Sequence, residues 1–157
     1  MEHDTHDHET HEEHGYGAAR LAPAAIAAFV LAGNAVFTIR NPQTGGRFTY
    51  RVRAGKGEGA PYFVQVLTGP DNTGDFTYLG CVFADGRFVV TKKSRISPDA
   101  PSARAFAWFF ARAQAGRDLC GVEVWHEGRC GACGRALTVP ESIETGLGPV
   151  CAGRMAA

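Results

Sequence analysis

Three cysteines near the C-terminus constrain the fold of this chain more than any other feature. Cys130 and Cys133 are separated by two residues, and Cys151 follows after 17 more intervening residues that end in a Gly-Pro turn. Two cysteines at this spacing form a tight turn that presents both sulfurs to one metal ion, and Gly134 allows the positive φ that such a turn needs. The spacing predicts a small structural zinc module of the treble-clef or zinc-ribbon kind, with all three cysteines as ligands.

A closed structural zinc site has four ligands, so one more ligand is needed. His126 lies four residues before Cys130 and is the only histidine after residue 14, which makes it the first choice. Cys120 is the second choice, and a histidine of the N-terminal segment or a side chain of a partner is the third. If the fourth position instead stays open to water, the prediction becomes a zinc-dependent hydrolase with Glu127 or Glu141 as the general base.

A short helix is predicted between Cys133 and Cys151. Thr138 is the expected N-cap, Glu141 its capping-box partner, and Pro140 fits the first turn. The helix should end near Gly146, and a final short helix should begin at Cys151.

The same segment resembles a domain of unknown function. The run Trp125-His-Glu-Gly-Arg-Cys-Gly-Ala-Cys-Gly-Arg-Ala-Leu-Thr-Val-Pro-Glu-Ser-Ile-Glu-Thr-Gly-Leu-Gly-Pro-Val-Cys151 is similar to a C-terminal domain that recurs in phage- and plasmid-borne proteins. That domain has the pattern Cys-x-x-Cys-Gly-Arg…Pro-Glu-Ser…Gly-Pro-x-Cys. Segments 32–38 and 46–50 are similar to the front part of its longer members. The resemblance implies a zinc-type fold and a mobile-element setting, and it transfers no catalytic residues.

The N-terminal segment differs in composition from the rest of the chain. Its first 14 residues contain six acidic side chains, no Lys or Arg, and five histidines: His3, His6, His8, His11 and His14. A segment with so little to bury is predicted to be disordered, either as a solvated acidic arm or as a loose binder of Zn²⁺ or Ni²⁺. The remaining residues carry 16 basic and 10 acidic side chains, a modest positive excess that suits a polyanionic partner.

Cysteine usage and hydropathy predict a cytoplasmic protein. Three of the five cysteines have metal-binding spacing, which favours thiolate ligation in a reducing compartment over disulfides. No apolar run reaches the roughly 18 residues needed to cross a bilayer. The apolar segment Leu21–Ala32 follows an acidic start and not the basic start of a signal peptide.

Hydrophobic periodicity predicts an α+β fold between the two ends. Ile26, Phe29 and Val30 give an apolar face to a short helix over Pro23–Ala32. A second helix is predicted over Pro101–Gln114, and its expected buried side chains are Ala103, Phe106, Ala107, Phe110 and Ala113.

Alternating segments bounded by turn residues predict an antiparallel meander of about five strands between these helices. The strands are Val36–Arg40, Phe48–Arg53, Tyr62–Leu67, Phe76–Phe83 and Phe88–Thr91. Tyr62–Leu67 is apolar at nearly every position and is expected to be covered on both faces. Val122–Trp125 is a further short strand leading into the zinc module. The predicted division is a tail over residues 1–19, an α+β domain over 20–119 and a zinc module over 120–157.

Basic side chains on two predicted elements indicate a binding surface. Arg47, Arg51 and Arg53 share one face of a strand, and Arg104, Trp108 and Arg112 share one face of the second helix. Lys92 and Lys93 add charge to the loop between sheet and helix. Arginines beside aromatic rings neutralise phosphates and stack on bases. The prediction is a non-enzymatic accessory protein that binds nucleic acid through a basic face, with a protein–protein adaptor as the alternative.

Overall fold

Seven antiparallel strands form one sheet in the part of the chain that the computed structural model describes, residues 19–71 and 73–156. The strands are β1 (Ala19–Arg20), β2 (Asn34–Arg40), β3 (Arg47–Ala54), β4 (Tyr62–Leu67), β5 (Phe76–Val82), β6 (Phe88–Val89) and β7 (Glu123–His126). Their order across the sheet is β1-β7-β2-β3-β4-β5-β6. The predicted meander is confirmed because β2 to β6 are neighbours in sequence order.

Two short strands extend the meander to seven strands: β7, which corresponds to the predicted strand Val122–Trp125, and β1, which was not predicted. β7 pairs with β2 along four residues, from Phe37 opposite His126 to Arg40 opposite Glu123. β1 then pairs with the free side of β7, with Ala19 opposite His126. Ala19 thus lies in the sheet although the prediction placed it in the tail, and β7 lies inside the sheet although the prediction placed it in the zinc module.

Four α-helices accompany the sheet in the described residues. They are α1 (Ile26–Val30), which follows a 3-10 turn at Pro23–Ala25, α2 (Pro101–Gln114), α3 (Pro140–Thr145) and α4 (Pro149–Ala156). Gly146 ends α3 in the left-handed conformation, with a φ of 74°, where a side chain would be strained. Among the described residues no helix is long and apolar enough to cross a membrane.

Helices α1 and α2 cover one face of the sheet, which we call the core face. The aromatic rings there are in direct contact: Phe29 with Phe37 at a centroid distance of 6.2 Å, and Tyr50 with Phe106 at 5.1 Å. The Tyr50 hydroxyl donates a 2.7 Å hydrogen bond to the Ser102 carbonyl in the first turn of α2. This contact fixes the start of the helix over β3.

The opposite side of the sheet, which we call the outer face, is the less apolar one. Directly paired residues point the same way, so the outer face is traced by the row Val36, Arg51, Gln65 and Tyr78, and by the row Asn34, Arg53, Phe63 and Cys81. A bulge between Val64 and Gln65 keeps both rows on this face in β5. Phe63 is 42% exposed, so the expectation that Tyr62–Leu67 is covered on both faces is wrong. Its apolar residues reflect one buried face, with Phe63 and Leu67 on the other.

Two further details of the helices differ from the prediction. In α2, Phe109 is buried and Ala107 is exposed, because the helix turns its two largest neighbouring rings, Phe109 and Phe110, into the core. In α3 the N-cap is Val139, which is extended and has no side-chain cap, so the predicted Thr138 capping box is wrong.

Candidate functional site

The turn that holds the first two cysteines, Cys130–Gly134, is built as the tip of a small hairpin. Cys130 N–H donates to the Arg135 carbonyl at 2.8 Å, and Gly134 N–H donates to the Cys130 carbonyl at 2.9 Å. Leu137 N–H closes the base of the hairpin on the Gly128 carbonyl at 2.7 Å. Gly134 has a φ of 82°, as the sequence predicted for the residue after the second cysteine.

The structure brings the three predicted cysteine ligands together. The sulfurs of Cys130, Cys133 and Cys151 all lie within 4.8 Å of one another. Sulfurs bound at about 2.3 Å to one tetrahedral ion would lie roughly 3.8 Å apart, so this separation needs only a small adjustment. Cys130 and Cys151 are buried, whereas Cys133 is exposed. The three cysteines can hold a metal ion.

Backbone groups prepare one of these sulfurs for a negative charge. Ala132 N–H and Gly148 N–H both point at the Cys130 sulfur, each at 3.4 Å. Burial alone would raise the pKa of the Cys130 thiol, but the N–H groups of Gly148, Cys133 and Ala132 outweigh it and lower that pKa to about 7. The Cys130 thiol therefore ionises more readily than an ordinary cysteine.

The pKa of the third thiol, Cys151, is shifted in the opposite direction. The side chains of Cys130 and Cys133, followed by burial, raise the pKa of the Cys151 thiol to about 11. Three closely spaced sulfurs cannot all ionise without a compensating charge, because each new thiolate is repelled by the others. A bound divalent cation would supply that charge, and its binding would displace the proton of Cys151.

The turn is fixed to the rest of the molecule at a point where only glycine fits. Gly131 N–H donates to the Gly146 carbonyl at 2.8 Å, and Asn34 N–H, at the start of β2, donates to the Gly131 carbonyl at 2.7 Å. A Cβ at Gly131 would lie 2.7 Å from the Phe29 ring. The Phe29 ring thereby seats the cysteine turn against α1 and the sheet.

Few apolar residues support the segment that follows β7, which we call the metal module (residues 128–156). Its buried cluster contains Cys130, Leu147 and Cys151, with partly buried Ala32, Ala132, Leu137 and Ala152 around it. A cluster this small is typical of segments that a bound metal or a disulfide stabilises.

His126, the first choice for a fourth ligand, lies outside the cysteine cluster. The residue is 1% exposed, and its two ring nitrogens are both used by the backbone. Gly128 N–H donates to Nδ1 at 2.9 Å, and Nε2–H donates to the Ile143 carbonyl at 2.6 Å. The ring is therefore neutral and connects β7 to α3. His126 therefore links the sheet to the metal module through these two hydrogen bonds, and we call this contact the clamp.

Replacing His126 by alanine is expected to lower the free energy of unfolding by about 3 kcal/mol, because two buried backbone groups lose their partners and a ring-sized space opens. Urea unfolding monitored by circular dichroism measures this loss. Metal content should remain that of the wild type, as the cysteines are untouched. A His126→Ala variant whose sheet stays folded but which binds no metal would restore His126 as a ligand.

The clamp also predicts a pH dependence. Burial lowers the pKa of His126 below its ordinary value, although the hydrogen bond to Ile143 opposes this shift. The unfolded chain takes up a proton near pH 6.5 that the folded chain still excludes, so stability should fall as pH drops below about 6.5. His126→Gln should lack this component, and the difference between the two urea midpoints at pH 7.5 and pH 5.5 isolates it.

Cys120, the second choice, is also outside the cluster. It is exposed, has a φ of 56°, and lies in the loop before β7. It lines a cavity with Trp108 and Phe48, and this cavity shares no residue with the one beside Cys133 and Cys151. In the part of the chain that the structure describes, neither His126 nor Cys120 joins the three cysteines as a fourth ligand.

The three arginines predicted on β3 lie on the outer face of the sheet. Arg47 and Arg53 are exposed. Arg51 is held in place, since its Nε donates to Gln65 Oε1 at 2.7 Å and its guanidinium lies 4.2 Å from the centre of the Phe76 ring. A cavity of about 430 Å³ at this end of the face is lined by Arg47, Phe76, Glu127 and residues of β2, β3, the end of β4 and the loop after it.

The other predicted binding residues lie elsewhere. Arg104 and Trp108 are on the solvent side of α2, with the Arg112 guanidinium 5.3 Å from the Trp108 ring. Because α2 covers the core face, these residues and the β3 arginines are on opposite sides of the molecule. Lys92 and Lys93 are exposed in the loop after β6, next to Thr91, whose hydroxyl contacts that of Tyr78 at 2.8 Å. The basic residues that were predicted to form one binding surface therefore form two separate surfaces.

Sequence reasoning missed the aromatic side chains that accompany the β3 arginines. Phe63, Phe76, Tyr78 and Trp125 occupy outer-face positions in the neighbouring strands. Their alternation with buried residues in β4 and β7 was a usable signal, but it required knowing which face the core takes.

Comparison with known proteins gives one partial match. No curated protein and no solved structure matches the chain. Residues 124–156 match the model of a family of unknown function, DUF6011. This range begins in β7 and contains all three clustered cysteines, so the C-terminal part of the chain is similar to an uncharacterised family.

Proposed function

We propose that this chain is a non-enzymatic accessory protein that binds single-stranded nucleic acid on the outer face of its sheet, with a structural zinc ion closing the metal module. The observation that carries the proposal is the juxtaposition of Arg47, Arg51 and Arg53 with aromatic rings on one exposed sheet face. The mobile-element setting implied by the sequence resemblance suits such a protein.

The chemistry of the outer face supports a single strand as the ligand. Unpaired bases expose their ring faces, which stack on aromatic side chains of an antiparallel sheet while arginines neutralise the phosphates. Arg51, fixed by Gln65 and Phe76, presents a pre-positioned guanidinium. Exposed Phe63 supplies a ring beside Arg53, its direct partner across β3 and β4. A duplex hides its base faces and would use the arginines alone.

The donor set supports zinc as the metal. Three thiolates favour a soft or borderline ion, and zinc is the usual occupant of structural sites with Cys-x-x-Cys spacing. Backbone N–H groups directed at a cysteine sulfur, as seen at Cys130, stabilise a bound thiolate. The small apolar cluster of the metal module gives the ion a structural role.

Salt dependence tests the nucleic-acid part of the proposal. Fluorescence anisotropy with a labelled mixed-sequence single strand should show binding at 50 mM salt that weakens steeply by 200 mM, because each phosphate contact releases condensed counterions. With three to four contacts the slope of log K against log salt should be about −2 to −3. A matched duplex should bind more weakly. Undetectable binding of every DNA and RNA probe at low salt would favour a protein partner instead.

A further inference from the structure

The cavity on the outer face is lined by charged groups of both signs. Its volume of about 430 Å³ is typical of small-molecule sites, and its two charged residues are Arg47 and Glu127. Within the described part of the chain neither of them takes part in an ion pair. Both charges are therefore available to a ligand that enters the cavity.

The strand pairing separates these two charges along the sheet. Arg40 lies opposite both Arg47 in β3 and Glu123 in β7, and Glu127 follows Glu123 by four residues. Four extended residues cover roughly 13 Å. This offset places a cation and an anion at a separation that suits the phosphate and the base of one nucleotide.

Hydroxyl groups line the cavity between its charged ends. Thr38 is two residues from Arg40 on the same face of β2, and it lies opposite Thr49 in β3. The Thr38 and Thr49 hydroxyls are 2.6 Å apart, so one donates to the other and one hydroxyl hydrogen remains for a ligand. The cavity is thus polar along its length.

Glu127 differs from the neighbouring carboxylate of β7. Glu123 Oε1 accepts from Trp125 Nε1 at 3.0 Å and from an Arg40 nitrogen at 3.1 Å, so its charge is compensated within the sheet. Glu127 is exposed, and its side chain has no such partner among the described residues. An uncompensated carboxylate repels phosphates, so on a face that binds a polyanion it favours only a base that donates hydrogen bonds to it.

Guanine is the base whose hydrogen-bonding edge matches a carboxylate. It carries two adjacent donors, N1–H and the N2 amino group, which can reach both oxygens of one carboxylate in a charge-assisted pair. Adenine and cytosine place a ring-nitrogen acceptor beside their amino group, and thymine and uracil place carbonyls on both sides of their one N–H. A carboxylate repels each of these acceptors, so it discriminates against all four.

We propose that this cavity holds one guanine nucleotide of the bound single strand, with a phosphate at Arg47 and the donor edge of the base at Glu127. This inference rests on the proposed nucleic-acid binding and adds the base that the outer face selects. The ligand is guanine in single-stranded DNA or RNA, since both carry the same donor edge.

Fluorescence anisotropy with the full-length chain tests this proposal. The probes are labelled oligothymidines in which the central base is thymine, guanine, adenine or cytosine, and matching RNA probes on an oligouridine background distinguish DNA from RNA as the strand. The guanine probe should bind the wild type roughly 5- to 100-fold more tightly than the others, the discrimination expected of one bidentate pair. In Glu127→Gln this preference should be lost, with adenine gaining most, because an amide both donates and accepts.

Glu58→Gln is the control, because it makes the same change in net charge at an exposed residue of the loop between β3 and β4. Loss of a negative charge affects all probes alike, so the affinity ratio between bases is the measured quantity, and the guanine preference should persist in this variant. Single-strand binding with no preference among bases, or a guanine preference that is unchanged in Glu127→Gln, would overturn this inference and leave the proposed function in place. A chain that binds none of the probes at low salt would overturn the proposed function and this inference with it.

Discussion

Replacing Cys133 by serine is expected to reduce the metal content from about one ion per chain to roughly a tenth and to unfold the metal module. Structural zinc contributes on the order of 10 kcal/mol to the folding of small domains, far more than the buried cluster around Leu147 can supply. Elemental analysis after gel filtration measures the metal. Limited proteolysis should then find new cleavage between residues 128 and 156.

Cys120→Ser is the matched control for this change. Cys120 is exposed and lies outside the cluster, so its replacement should leave both the metal content and the protease pattern unchanged. If Cys133→Ser retains about one ion per chain, the assignment of the three sulfurs as ligands is wrong. A loss of metal in the Cys120 variant would show that this thiol reaches the ion after all.

Reversing the charge of two arginines on the outer face is the second change with a large expected effect. Arg47→Glu with Arg53→Glu should weaken single-strand binding by roughly 30- to 100-fold, since two phosphate contacts are replaced by repulsion. The slope of log K against log salt should become shallower by about 1.4, which is 0.7 for each lost contact on a single strand. Both arginines are exposed, so the fold should be unaffected.

Arg104→Glu with Arg117→Glu makes an equal change in net charge on the opposite side of the molecule. Both residues are exposed, Arg104 in α2 and Arg117 just after it. This variant should bind within about threefold of the wild type, because general attraction is weak beside direct phosphate contacts. Equal losses in the two double variants would contradict binding on the outer face and would point to the helix side, where Trp108 lies.

Local signals were enough to predict most of the elements. The meander from β2 to β6 follows from alternating residues and glycine- or proline-containing turns, and α2 was predicted with its observed bounds. β1 was missed because two residues carry no periodicity, and its pairing with β7 depends on a strand more than 100 residues away. Phe109 is buried where Ala107 was predicted to be, because the helix is rotated about its axis relative to the prediction. That rotation depends on the positions of Tyr50 and Phe37.

The candidate site was also predicted only in part. The three cysteines were predictable because their spacing is typical of metal sites, and the structure brings their sulfurs together. His126 was selected for its nearness in sequence, yet its ring is used by Gly128 and by the Ile143 carbonyl, whose position follows from the packing of α3. The basic residues lie outside the core, with Arg51 and Arg112 half-buried and the others exposed. Their division between the outer face and α2 could not be predicted without the layering of sheet and helix.

The position of β7 between β1 and β2 affects how the chain can be assembled. Its residues are synthesised more than 80 residues after those of β2, beside which they must insert. Until then β2 presents an unpaired edge that can recruit other chains. Completion of the sheet is therefore late and depends on a long-range contact. The strand that covers the free edge of β2 during synthesis is β7, which leads directly into the cysteine turn.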